Sequence, residues 1–119
     1  MNKNVVAICV SDIRYGKKLF DYLNDKFANI CEYMYYDSLS NMNMCNIGVP
    51  VVIVLDEPLL QDIILKVVDY NMESLRVVVL TEQKDGAINI SIENTMGMHI
   101  TFIYRYQSAH NICTEITKF

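Results

Sequence analysis

The sequence predicts a three-layer α/β domain on a doubly wound, parallel, five-stranded sheet of order 2-1-3-4-5. Three observations lead there. Short runs rich in Val, Ile, Tyr and Phe alternate with amphipathic stretches. Three of these runs are apolar at almost every position, the pattern of strands buried on both faces. The other two carry polar interruptions, which assigns them to the sheet edges. At 119 residues, 52% hydrophobic and 20% charged, the chain has the size and composition of one globular domain spanning 1–119.

The first strand is "VVAICV" (5–10), followed by "IRYGKKLFDYLNDKF" (13–27). That helix sets Tyr15, Leu19, Tyr22, Leu23 and Phe27 on one face, with Asp12 as its cap. "CEYMYY" (31–36) is the second strand, an edge because Glu32 interrupts it. "DSLSNMNMCN" (37–46) reads as a short helix capped by Asp37 or Ser38 and ended by Gly48. "VVIVL" (51–55) is a central strand, and "PLLQDIILKVVDYN" (58–71) a helix that opens on proline. Its apolar stripe is Leu59, Leu60, Ile63, Ile64, Val67 and Val68. "RVVVL" (76–80) is central, and "HITFIY" (99–104) is the second edge, since His99 and Thr101 alternate with Ile100 and Phe102. "QSAHNICTEITKF" (107–119) closes the chain as a helix capped by Ser108, with Ile112, Cys113 and Ile116 inward. Symmetry calls for a fourth helix over 82–98. The two glycines and the alternating "INISI" there predict a loop with a short strand or hairpin instead.

Several function classes are excluded by composition. The net charge of −4 and the lack of a basic run argue against binding nucleic acid. The tyrosine cluster 33–36 is flanked by Glu32 and Asp37, not by the basic neighbours that base stacking needs. Apolar runs reach about six residues, against the ~20 that cross a bilayer, so no membrane insertion is expected. The N-terminal apolar stretch is too short for a signal peptide, which points to the cytoplasm. Cys9, Cys31, Cys45 and Cys113 form no C-x-x-C pair; Cys9 and Cys31 read as small buried hydrophobes. His99 and His110 have no metal-ligand spacing, and no glycine-rich phosphate loop supports a small-molecule enzyme.

In a sheet of this kind, ligands bind outside the carboxyl ends of the strands, where the strand order reverses. Here the reversal lies between strands 1 and 3, which end in Asp12 and Asp56. Thr81 ends the fourth strand and Arg105 the fifth. Two carboxylates, a hydroxyl and a cation are thus expected around one crevice.

The order of elements and these strand-end residues resemble the CheY-like receiver domain of response regulators. The resemblance makes Asp56 the phosphoacceptor position, Ser11 and Asp12 the acidic pocket, Thr81 the switch hydroxyl and Arg105 the substitute for a lysine. Two departures imply a degenerate receiver. Ser11 stands where a second acid is usual, and the guanidinium of Arg105 can pair with Asp56 in place of a metal. Mg²⁺, if it binds, would use Asp12 and Asp56; otherwise no cofactor is expected. "DIRYGKKLFDYLN", the missing fourth helix and "YRYQSAHNICTEI" look most like the N-terminal receiver-like domain of TadZ/CpaE-type proteins, which localise pilus-assembly machinery. That resemblance implies a ParA/MinD-like ATPase domain after this one in the parent protein.

The function expected is therefore that of a pseudo-receiver, a non-enzymatic protein–protein interaction module that docks a partner or forms a homodimer. Its candidate surface comprises Ile103, Tyr104 and Tyr106, with the last helix and residues 82–98. The alternative is an Mg²⁺-dependent phosphoaspartate receiver in two-component signal transduction.

Overall fold

A computed structural model describes residues 4–38, 52–67, 75–82 and 99–118. Five parallel strands, β1 (Val5–Cys9), β2 (Glu32–Tyr35), β3 (Val52–Asp56), β4 (Arg76–Thr81) and β5 (His99–Tyr104), form one sheet in the order β2-β1-β3-β4-β5. Three helices are described: α1 (Ile13–Lys26), α2 (Leu60–Val67) and α3 (Ala109–Ile116). A 3-10 turn, Glu57–Leu59, joins β3 to α2. This is a flavodoxin-like fold in the strand order the sequence predicts. The predicted helix over 37–46 lies, from residue 39 on, outside the described residues, as do the segment 83–98 and Cys45.

Alternation along the central strands shows why they read as continuously apolar. Val6, Ile8, Val52, Val54, Val78 and Leu80 join one cluster with Leu19 and Leu23 of α1 and Ile112, Cys113 and Ile116 of α3. Ala7, Ile53, Leu55, Val77 and Val79 join a second cluster with Leu60 and Ile63 of α2. Successive side chains point to opposite faces, and both faces are covered, so the positions between the strand ends are apolar throughout. Each fully buried Leu or Ile contributes roughly 1.5–3 kcal/mol.

The helix ends follow their caps. Asp12 accepts the Tyr15 N–H at 3.2 Å and Ser108 accepts the Asn111 N–H at 3.1 Å. Gly16 lies where α1 crosses the sheet. A methyl group there would sit 3.2 Å from Val10 Cβ and 3.2 Å from a Tyr35 ring carbon, so the absence of a side chain sets how closely helix and strand approach. No helix among the described residues is long and apolar enough to cross a membrane.

Cys9, Cys31 and Cys113 are buried in this core, as small hydrophobes. Burial, reinforced by the charges of Asp56 and Asp37, pushes the Cys9 thiol up to about 11. Burial alone pushes Cys113 up to about 12, and burial first of all raises the Tyr33 phenol. The folded state therefore holds protons that the unfolded chain gives up. The stability these groups supply is complete below their unfolded values and lost as pH rises through the folded ones. Urea titrations should show unfolding free energy falling between pH 9 and 12, by up to about 1.4 kcal/mol per pH unit for each group. A flat profile over that range would contradict the burial of these thiols.

Candidate functional site

Register alone sets one end of the sheet as a rim. Cys9 pairs with Leu55, Asp56 with Leu80 and Thr81 with Tyr104. The residues at or just past these levels are Ser11, Asp56, Thr81 and Arg105. The Arg105 N–H continues the ladder to the Thr81 carbonyl at 2.9 Å. The structure thus brings together the strand-end residues the sequence singled out. Ser11, Asp12, Asp56 and Arg105 line a single hollow of about 340 Å³ with Glu57, Pro58, Leu80 and Glu82.

Asp56 is 3% exposed, although it is charged and ends its strand. Its Oδ2 accepts both the Ser11 N–H, at 3.1 Å, and the Ser11 hydroxyl. Its Oδ1 is buried and has no hydrogen-bond partner among the described residues. Thr81, equally buried, donates its hydroxyl to Glu57 Oε1.

The pairing expected between Arg105 and Asp56 is replaced by another. Arg105 Nη2 lies 3.3 Å from Asp12 Oδ2, a contact half open to water on the aspartate side. The reason is the path of the guanidinium. It lies over the Tyr15 ring, 4.3 Å from the ring centre, and 5.4 Å from the centre of Tyr106. The Tyr15 hydroxyl donates to the Arg105 carbonyl at 2.9 Å, fixing ring and backbone together. Two aromatic faces therefore hold the cation toward α1, on the side of Asp12. Burial raises the Tyr15 phenol, and the nearby guanidinium only partly offsets it, so this hydroxyl stays a donor at neutral pH.

The predicted interaction surface divides. Tyr106 is 59% exposed, donates to Glu82 Oε1 at 2.9 Å and meets Tyr104 edge to face with ring centres 5.6 Å apart. Tyr104 is half-buried. Ile103 does not belong to the surface. It is 5% exposed and packs in the cluster that includes Ile112, Cys113 and Ile116. Strand alternation turns it toward the layer of α1 and α3.

Sequence reasoning missed Glu57, Glu82 and Tyr15 as parts of this site. Glu57 was visible beside Asp56 in "LDEP", but only the 3-10 turn brings its carboxylate to Thr81. Tyr15 read as one member of an apolar helix stripe, and nothing in that pattern reveals the bond from its hydroxyl to a residue 90 positions away.

An Mg²⁺ ion of the receiver kind fits these residues poorly. Of the four oxygens of Asp12 and Asp56, three already accept bonds from Tyr15, Arg105 and Ser11. Among the described residues, no three His, Cys, Asp or Glu side chains group as a metal site. Compared with known proteins, the chain matches no family model, no curated protein and no solved structure.

Proposed function

We propose that this domain is a pseudo-receiver that works as a protein-docking module, its strand-end pocket kept for structure and recognition and not for phosphoryl transfer. One observation carries the reading. The hydroxyl and the cation that would hold a phosphoryl group are both engaged by carboxylates, Thr81 by Glu57 and Arg105 by Asp12. An incoming phosphoryl group, itself an anion, would enter a hollow that Glu57 and Glu82 also line. The Tyr104–Tyr106 pair, of which Tyr106 is the exposed member, is the proposed contact surface for a partner or a second copy. Localisation of a pilus-assembly machine in the cytoplasm, with a ParA/MinD-like ATPase domain following in the parent protein, belongs to the same proposal. It rests on the resemblance to TadZ/CpaE-type proteins.

The second reading, an Mg²⁺-dependent phosphoaspartate switch, is favoured by the partnerless Oδ1 of Asp56. Titration with beryllofluoride and Mg²⁺, read on the amides of Ser11, Asp56 and Thr81, separates the two. The docking reading expects no saturable shift at low millimolar Mg²⁺, and saturation would establish the switch. Sedimentation tests the surface. Tyr106→Glu should abolish concentration-dependent assembly or partner binding, and an unchanged assembly would exclude this face.

A further inference from the structure

The rim holds more acid than its own hydrogen bonds use. Among the described residues, Asp12, Asp56, Glu57 and Glu82 stand around one hollow with a single guanidinium, that of Arg105. Arg105 is already committed, paired with Asp12 and lying over Tyr15. Asp56, 3% exposed and lining the hollow, keeps an oxygen with no donor among the described residues. A buried carboxylate oxygen in that state is stabilised by any donor that reaches it. The same hollow has an exposed apolar side chain, Pro58.

The arrangement discriminates among cations. The described acids form no cluster able to wrap a bare metal ion. They are spread around a cavity of about 340 Å³. Carboxylates spaced in this way suit a cation that carries several N–H donors in different directions. An apolar side chain beside them suits a group with an aliphatic stem. A guanidinium or ammonium head on a long side chain has both properties.

We infer that the rim pocket receives a basic side chain, arginine or lysine, presented by the docking partner. The inference rests on the docking reading above and gives it a chemistry. The stem lies along Pro58, and the head bridges the carboxylates that Arg105 leaves unpaired. The net charge of −4 draws a basic partner toward the domain.

Capped arginine, N-acetyl-arginine methylamide, is the probe, followed on the amides of Ser11, Glu57 and Glu82. Saturable shifts with a millimolar dissociation constant are expected, absent with the neutral capped citrulline and weakened by added salt. Glu82→Gln changes an exposed side chain, and Asp12→Asn keeps a helix-capping oxygen. Each should weaken binding about two- to fivefold while the spectrum stays dispersed. A flat arginine titration, equal shifts from citrulline, or displacement of arginine by low millimolar MgCl₂ would each overturn the inference. None of these outcomes touches the sedimentation experiment, on which the docking reading stands or falls separately.

Discussion

Ile103→Ala should lower the unfolding free energy by about 2–5 kcal/mol, and Ile103→Asp should abolish cooperative folding. Ile103 is 5% exposed, faces the layer that holds Ile112, Cys113 and Ile116, and pairs in register with Leu80. Truncation leaves a cavity bounded by the sheet and by α3, and neither can close on it without losing other contacts. A carboxylate there would be buried among apolar side chains with no cation to meet it. The neighbouring surface provides the control. Tyr106→Ala removes a ring that is 59% exposed, with one hydrogen bond and one cation–π contact, and should cost at most about 1 kcal/mol. Urea denaturation of the three variants decides the matter. If Ile103→Ala falls within about 0.5 kcal/mol of the parent, the residue is not part of the core and returns to the candidate surface.

Arg76→Ala is expected to cost about 1.5–3 kcal/mol, although Arg76 is the first residue of its strand and only half-buried. Its guanidinium donates from Nη2 to the Glu115 carbonyl at 2.7 Å, and from Nη1 to Ile116 at 3.2 Å and Lys118 at 3.0 Å. These carbonyls lie at the C-terminal end of α3, where a helix has no internal donors left and its dipole is negative. The last turn of α3 has no basic residue of its own, so β4 supplies the charge from across the fold. Loss of Arg76 should also speed amide exchange over Ile112–Ile116 as the helix end frays. Arg76→Lys should recover only part of the loss, because an ammonium cannot spread a planar fork over three acceptors. An alanine variant as stable as the parent, with unchanged exchange in α3, would show that the clamp carries no weight.

The docking and basic-side-chain proposals depend on the same rim but on different groups. The first turns on Thr81 and Arg105 being engaged, the second on Asp56, Glu57 and Glu82 having capacity to spare. Asp12→Asn probes the second without touching the Thr81–Glu57 bond, whereas Glu82 also accepts the Tyr106 hydroxyl of the proposed docking face.

The framework was legible because it follows from burial. A strand covered on both faces must be apolar at every step, so 5–10, 51–55 and 76–80 declared themselves as the centre of a parallel sheet. Helix periodicity and the capping residues Asp12 and Ser108 set the starts of α1 and α3. With the strand order known, the strand ends had to share a rim, which is why Asp12, Asp56 and Arg105 were found together. Pairing on that rim was not legible. Arg105 joins Asp12 and not Asp56, Thr81 gives its hydroxyl to Glu57, and Ile103 turns inward from an edge strand. Side-chain alternation and hydropathy are local and periodic, and a sequence displays them. The choice among several acids for one guanidinium depends on differences of a few ångströms and on two tyrosine rings brought in from distant positions, and only the folded chain sets those distances.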